Sequence, residues 1–285
     1  MRLAFAGIHQ GEEPSITGNG GSGTVFVSGC NLGCAFCQNY QISKDGMGRV
    51  AEAGEFAEIC LTLQDKGAEN INIVTGSHAA PVLASAIAEA KKQGLKIPVL
   101  WNSSAYESIE ALEIIKDHVD VYLPDLKTLD PVFAKRFFNA PDYPAQAGAA
   151  ILKMTEYRKI DYSGISLVSG LMIRHLVIPG YLENTRQVLA WFAENCKNRA
   201  LLSLMTQYTP VHGSEKNPAS DVIPGGYLSE NEYEAVLLML EEYGIDYGFC
   251  QELVTGSDWL PDFNRTNPFS SELSLPLWHW KQGFV

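Results

Sequence analysis

The chain of 285 residues carries 33 acidic and 21 basic residues, a formal net charge of −12, and 46% of its residues are hydrophobic. This composition supports a sizeable core and argues against a polyanionic partner, because phosphate neutralisation needs a stripe of basic residues and the sequence shows none. The apolar patch at residues 3–8 is too short for a signal peptide and no run approaches a membrane span, so we expect a cytoplasmic protein without a nucleic-acid or membrane partner.

Short runs rich in Val, Ile and Leu alternate with longer segments of helical periodicity, the pattern of buried parallel strands joined by crossover helices. The predicted strands are residues 24–28, 70–75, 97–101, 119–124, 172–178 and 201–206. The predicted helices are residues 55–66, 80–93, 105–117, 144–157, 184–195 and 230–243. Ser229 with Glu232, and Ser104 with Glu107, have the spacing of a capping box at a helix start.

Six such units predict an α/β fold, either a closed barrel of the TIM type or a partial (β/α)6 barrel, with the site in the loops that follow the strands. A doubly wound open sheet has the same apolar runs and stays an alternative. No linker or low-complexity tract interrupts the chain, so we predict one domain, residues 1–285, with a lead-in at 1–22, a core at 23–245 and a tail at 246–285. GNGGSG at 18–23 matches a dinucleotide motif, but a strand follows where that motif needs a helix.

Three of the six cysteines form C-x3-C-x2-C directly after the first predicted strand: Cys30, Cys34 and Cys37. A zinc site would want a fourth ligand, usually from a second Cys or His pair, and the sequence has no second C-x2-C. A 4Fe–4S cluster also takes four ligands, but three thiolates can leave one iron to a bound molecule. The other three cysteines have apolar or aromatic neighbours, which predicts inert packing residues: Cys60, Cys196 and Cys250.

The string GCNLGCAFCQN, residues 29–39, resembles the signature of the radical S-adenosylmethionine (SAM) enzymes. The resemblance implies that the three cysteines bind a 4Fe–4S cluster, that the amino and carboxylate groups of SAM chelate the open iron, and that Phe36 packs near the adenine. It also implies the partial barrel of that family and reductive cleavage of SAM to methionine and a 5′-deoxyadenosyl radical.

Within that family the chain is most similar to the pyruvate formate-lyase activating enzymes, above all to a branch whose targets are not established. The resemblance runs through GEEPSITG, YLPDLKTLD, RHLVIPG and QELVTGSDWLPDFNRTNPF. It implies that Asp125 and Lys127 line the cofactor site and that Arg174 reaches the cofactor, since a guanidinium can clamp a carboxylate. Further SAM contacts are expected at Asn39, Gly76, Ser77, His78, Asn102, Ser103 and Gln207.

Two stretches depart from the activating enzymes. Gly76, Ser77 and His78 stand where those enzymes carry a Gly-Gly-Glu-type motif, so Ser77 or His78 is expected to accept the hydrogen bond of the cofactor's amino group. Trp101 stands where they favour an acidic residue, which puts their bound-cation site in question for this chain.

Three hypotheses follow for the function. The first is an activase that installs a glycyl radical on a partner enzyme, with flavodoxin or ferredoxin as electron donor because the sequence has no second cysteine cluster. The second is a radical enzyme that acts on a small molecule or peptide; a closed pocket would favour the small molecule and a wide lateral opening the protein loop. The third is a non-catalytic zinc- or iron-binding regulatory protein, which predicts a fourth ligand such as His78 beside the cysteines.

Overall fold

The computed structural model describes residues 1–211, 223–257 and 259–285, and it contains all six predicted strands. The strands are β1 (Arg2–His9), β2 (Ser22–Val27), β3 (Arg49–Val50), β4 (Asn70–Val74), β5 (Val99–Ser103), β6 (Val121–Pro124), β7 (Asp161–Ser163), β8 (Ser166–Leu176), β9 (Leu201–Met205), β10 (Gly248–Cys250), β11 (Ser274–His279) and β12 (Gly283–Phe284).

The six predicted helices are also present, and the described residues form three further α-helices. The helices are α1 (Pro14–Thr17), α2 (Tyr40–Ser43), α3 (Ala53–Asp65), α4 (Ala80–Lys92), α5 (Ile109–Ile115), α6 (Pro131–Phe138), α7 (Tyr143–Tyr157), α8 (Leu182–Asn195) and α9 (Glu230–Glu242). In the part of the chain that the structure describes, none of them has the length and apolar character to cross a membrane.

The parallel strands β2, β4, β5, β6, β8 and β9 pair side by side in chain order, and β10 extends the series beyond β9. A doubly wound sheet would reverse its strand order at a switch point, so the prediction of a partial barrel is confirmed and the alternative is wrong. The sheet ends at β10 on one side and at β12 on the other, and it therefore stays open.

Strand β1 was not predicted. It lies antiparallel between β2 and β11, and every residue from Leu3 to His9 is buried. The segment is rich in Ala and Gly and poor in the β-branched residues that mark a strand, so its place in the sheet comes from its two neighbours and not from local propensity. The predicted lead-in and tail thus supply the strands that cover the first edge of the parallel sheet.

Two layers of side chains pack against the parallel strands. On the helix side, α3 buries one face, with Phe56, Ile59, Cys60 and Leu63 all inaccessible to solvent. Inside the barrel a separate cluster fills the space between the strands, as is usual for small barrels. Its members are Ile16, Leu100, Val121, Leu123, Leu167, Met172 and Leu201.

The two predicted capping boxes had different outcomes. At the start of α9 the Ser229 hydroxyl accepts from the backbone N–H of Glu232, and the Glu232 carboxylate accepts from the backbone N–H of Ser229, as predicted. The prediction of a capping box at Ser104 is wrong, because α5 begins at Ile109 with Ser108 as its N-cap. Glu107 instead turns into the protein interior, where buried donors hold it.

Candidate functional site

A cavity of about 530 Å³ opens at the carboxyl ends of the parallel strands. Its wall includes alternate residues of two strands, Arg174 and Leu176 of β8 and Ser203 and Met205 of β9. Residues two apart on a strand face the same side of the sheet, so the cavity continues the inward-facing side above the packed interior. Its volume is in the range of sites that bind drug-sized ligands.

The three clustered cysteines lie in the loop between β2 and α2, residues 30–37, which we call the cysteine loop. All three line the cavity, and none of them forms a disulfide. Two hydrogen bonds tie the loop and the residue after it to distant elements: the backbone N–H of Ala35 donates to the Phe137 carbonyl over 2.8 Å, and Gln38 Nε2 donates to the Gln207 carbonyl over 3.0 Å. These contacts attach the loop to α6 and to the end of β9.

The chemistry of these thiols fits an iron–sulfur cluster. Burial raises the pKa of Cys34 to about 12, against the opposing effect of the Lys127 ammonium, and burial also raises the pKa of Cys37. Both side chains are therefore protonated thiols in the protein alone, and they would release protons on binding a soft metal. Three thiols on one cavity wall form the donor set that a 4Fe–4S cluster uses.

Asp125 and Lys127 follow β6 and line the same cavity. Lys127 Nζ lies 2.8 Å from Asp125 Oδ2. The hydroxyl of Tyr143 holds their backbone, because it donates to the Asp125 carbonyl and accepts from the N–H of Lys127. Burial works to lower the pKa of Lys127, but Asp125 and Cys34 outweigh it and the pKa lies above its usual value. The cavity therefore faces a charged ammonium and a carboxylate.

Arg174 lies on β8 near the end of the strand, and its guanidinium is engaged by two carboxylates. Arg174 Nε donates to Glu13 Oε1 over 2.9 Å, and Nη2 donates to both Glu12 and Glu13. Ser203 Oγ donates to Glu13 Oε1 over 2.6 Å. Burial works to raise the pKa of Glu13, but Arg174 outweighs it and the pKa is lowered. The predicted cofactor arginine is thus the centre of a buried ion triad.

Sequence reasoning assigned no role to Glu12 and Glu13, which both line the cavity. The sequence feature that could have identified them as site residues is the pair of glutamates in GEEPSITG, a stretch that carries the resemblance described above. The pair follows β1 directly, and because β1 was not recognised as a strand, the end of that strand could not be placed at the site.

Gly76 and Ser77 lie behind the cavity wall and are not part of its lining. A Cβ at Gly76 would come within 2.7 Å of the Trp101 ring, so that ring packs on the glycine. Ser77 Oγ donates to Glu107 Oε1 over 2.6 Å, and Trp101 Nε1 donates to the same oxygen over 3.1 Å. Trp101 and Glu107 are buried, and their contacts with Gly76 and Ser77 form a cluster behind the wall.

His78 is also outside the lining of the cavity. Its Nε2 makes a hydrogen bond of 2.9 Å with the carbonyl of Ser28, just before the cysteine loop. Within the described ranges, no three His, Cys, Asp or Glu side chains gather closely enough to hold a single metal ion. Through this contact with Ser28, His78 lies next to the chain segment that leads into the cysteine loop.

Glu107→Gln should make the protein less sensitive to alkaline pH. Burial raises the pKa of Glu107. The folded protein therefore holds the proton more tightly than the unfolded chain, and its stability falls as pH rises from about 4.5 through the raised value. Glutamine keeps the acceptor for Ser77 and Trp101 and does not titrate. The urea midpoint of wild type should fall between pH 5 and pH 8, and that of Glu107→Gln should fall less. Glu241→Gln is the control at the surface. Equal pH sensitivity of wild type and Glu107→Gln would contradict the assignment.

The other predicted cofactor contacts line the cavity: Phe36, Asn39, Asn102, Ser103 and Gln207. The Phe36 ring is enclosed edge-on by Phe137, Phe138 and Tyr208. Gln207 Oε1 accepts from Gln251 Nε2 over 2.9 Å, which orients the amide. These residues are in reach of a bound ligand, and their roles as SAM contacts stay predictions.

The packing prediction for the isolated cysteines holds for two of them. Cys60 and Cys196 are buried in the core. The prediction is wrong for Cys250, which is exposed and lines the cavity. Because β10 extends the parallel series, its last residue arrives at the same rim as the ends of the other strands.

The C-terminal segment closes part of the cavity. Gln41 of α2 clamps it, with Nε2 donating to Asp262 Oδ1 over 3.0 Å and Oε1 accepting from the N–H of Phe263 over 2.7 Å. Trp259 and Phe269 of the same segment line the cavity. The residues called a tail therefore form a wall of the site and are fixed to the helix that follows the cysteine loop.

Comparison with known proteins identifies relatives of this chain. Residues 24–191 match the model of the Radical SAM superfamily. An uncharacterized protein of Methanocaldococcus jannaschii is 30% identical over 249 residues, which cover 84% of this chain and 67% of that protein.

Two solved structures share the fold. SuiB of Streptococcus suis, also solved with S-adenosylmethionine and with its precursor peptide SuiA, aligns with a TM-score of 0.57 at 16% identity, over 80% of this chain and 49% of SuiB. A radical SAM methyltransferase from Sphaerobacter thermophilus aligns with a TM-score of 0.56 at 14% identity, over 81% and 66% of the two chains. The chain spans about half the length of SuiB, and at these identities the likeness concerns the fold alone.

Proposed function

The chain belongs to the radical SAM superfamily, and from that premise we propose that it cleaves S-adenosylmethionine at a 4Fe–4S cluster bound by Cys30, Cys34 and Cys37. The observation that carries this proposal is the set of three thiols that line one cavity together with charged and polar groups suited to SAM. When bound, the cluster supplies an electron and SAM supplies the 5′-deoxyadenosyl radical that abstracts hydrogen from a substrate carbon.

The residues around the cysteines have complementary tasks in this proposal. The Lys127 ammonium is suited to a carboxylate of the cofactor, and Asp125 is suited to an ammonium or a hydroxyl. Phe36 offers an aromatic ring for the adenine. Cys34 and Phe36 of the cysteine loop are buried, and their position would shield a bound cluster from water.

We propose a peptide or small molecule as the substrate. Trp259, Pro261 and Phe269 wall part of the cavity, which favours a ligand that inserts into it over one that lies across an open face. The structure of SuiB with its precursor peptide gives a precedent for peptide binding on this fold.

Glycyl radical installation on a partner enzyme is the second candidate. It is supported by the presence in the cavity of Asp125, Lys127 and Arg174, from the motifs that resemble the pyruvate formate-lyase activating enzymes. Mixing the reduced protein and SAM with the glycyl radical enzyme of the same genome should then produce a glycyl radical signal in electron paramagnetic resonance. A signal-free mixture that still cleaves SAM would reject this candidate.

An external reductant is part of either proposal. We propose flavodoxin or ferredoxin as the donor and a cytoplasmic location, where thiols stay reduced. Reduction of the cluster by either purified donor, followed at its visible absorbance, tests the donor.

The first test is anaerobic reconstitution with iron and sulfide, followed by incubation with dithionite and SAM. We expect 5′-deoxyadenosine to form only when cluster and reductant are both present. A protein that loads zinc alone and releases no 5′-deoxyadenosine would refute the enzyme proposal and favour a regulatory metal-binding protein.

A further inference from the structure

The wall of the cavity around Arg174 carries one excess negative charge. One guanidinium faces two carboxylates, Glu12 and Glu13, and the side chains of all three are at most 14% exposed. Asp125 and Lys127 balance each other. An oxidised cluster with three thiolates carries about one negative charge and SAM about one positive charge, so these two also cancel. A buried excess charge is costly, which favours a cationic group on the remaining ligand.

His9 adds an unpaired polar atom to this wall. The residue is 8% exposed and lines the cavity. The ring nitrogen Nδ1 accepts from the N–H of Gly11 over 3.0 Å, so the neutral ring carries its proton on Nε2. Burial lowers the pKa of His9, and the ring is therefore neutral at pH 7. Nε2 makes no hydrogen bond with any residue that the structure describes, which leaves an N–H donor for a ligand.

Aromatic rings flank the same position. The Phe269 ring lies edge-on to the His9 imidazole, with 4.8 Å between the ring centroids. Gly11 lies between His9 and Trp259. A Cβ atom added to Gly11 would come within 2.8 Å of the His9 ring and 3.2 Å of the Trp259 indole. Aromatic rings beside a carboxylate are the combination that binds alkylammonium groups, through cation–π attraction and charge.

We propose that His9, Glu12, Trp259 and Phe269 form a substrate subsite for an alkylammonium group, such as that of a lysine side chain or a free amine. Glu12 is the charged contact because its side chain is the more exposed of the two carboxylates. Both carboxylates pair with Arg174, and each accepts a further side-chain hydrogen bond, Glu12 from Asn72 Nδ2 over 3.2 Å and Glu13 from Ser203 Oγ over 2.6 Å. His9 Nε2–H donates to an acceptor next to the ammonium. The subsite names the substrate class of the radical enzyme proposed above, and it rests on that proposal.

The test is calorimetric titration of the full-length, cluster-loaded protein with two matched pairs of probes. The first pair is N-acetyl-lysine methylamide and its norleucine counterpart, and the second is pentylammonium and pentan-1-ol. We expect the charged member of each pair to bind about tenfold more tightly, and Glu12→Gln to remove that preference. A preference confined to the lysine pair indicates a peptide source for the amine, whereas equal preference in both pairs indicates a small molecule.

Matched variants control for folding. Trp259→Leu should weaken the charged probes about threefold to tenfold through loss of the aromatic face, whereas Trp191→Leu on α8 should not. Equal affinity for charged and neutral probes would overturn the subsite, as would competition between SAM and the charged probes, because the wall would then belong to the cofactor. Cleavage of SAM is measured separately, so a protein that binds the probes without cleaving SAM refutes the enzyme proposal and not the subsite.

Discussion

Cys34→Ala is expected to lose the iron–sulfur absorbance and to lower 5′-deoxyadenosine formation by more than about 100-fold. Substitutions that merely support a metal ligand already cost 10-fold to about 100-fold, and Cys34 would be a ligand itself. The side chain is buried in the cavity wall, and the only other thiols of the loop, Cys30 and Cys37, are the remaining two proposed ligands. Iron and sulfide content, visible absorbance and chromatographic detection of the product provide the measurements.

Two other cysteines are the matched controls for this prediction. Cys196→Ala removes a buried thiol from the core and should keep the cluster, because it affects packing alone. Cys250→Ala removes the exposed thiol that shares the cavity and should also keep the cluster. Loss of the cluster in the Cys250 variant would contradict the three-cysteine site, because it would make Cys250 a fourth ligand.

Arg174→Met should lower the free energy of unfolding by about 3–5 kcal/mol at pH 7, the usual cost of leaving a buried charge without its partner. The variant keeps the volume of the side chain and removes the guanidinium, so Glu12 and Glu13 face each other uncompensated. Urea denaturation followed by circular dichroism measures the change. A loss below about 1 kcal/mol would show that solvent already screens the triad.

The loss should shrink in acid. Arg174 lowers the pKa of Glu13 in the folded protein, so this stabilisation is present above the unfolded value of 4.5 and disappears as pH falls through the folded value. Without the guanidinium Glu13 protonates more easily, and the stabilities of wild type and variant should therefore converge below pH 4.5. Arg186→Met is the control, because Arg186 pairs with Glu242 at the surface and such pairs contribute little.

The parallel strands and their helices could be predicted because the sequence patterns that indicate them extend over only a few neighbouring residues. Runs of Val, Ile and Leu separated by amphipathic helices indicate strands that are buried on both faces, and the crossover rule then limits the topology. The cysteine spacing indicated the cofactor in the same way, since three ligands on one short loop need no knowledge of the rest of the fold.

Other features depend on residues far apart in sequence. Glu13 meets Arg174 across 161 positions, and Gln41 meets Asp262 across 221. The capping box expected at Ser104 failed for the same reason, because Trp101 and Ser77 draw Glu107 inward with hydrogen bonds that the local pattern does not contain. Propensity ranks local choices, and a buried hydrogen bond outweighs it.

By itself, the sequence determined the order of the parallel strands, the main helices and the loop that carries the three cysteines. Only the tertiary structure placed β1 at the sheet edge, brought Cys250 and the C-terminal segment to the cavity, and paired Arg174 with two glutamates. The physical reason is that periodicity and ligand spacing act within a few residues, whereas edge pairing, burial of charge and closure of a cavity are set by surfaces that meet only when the chain is folded.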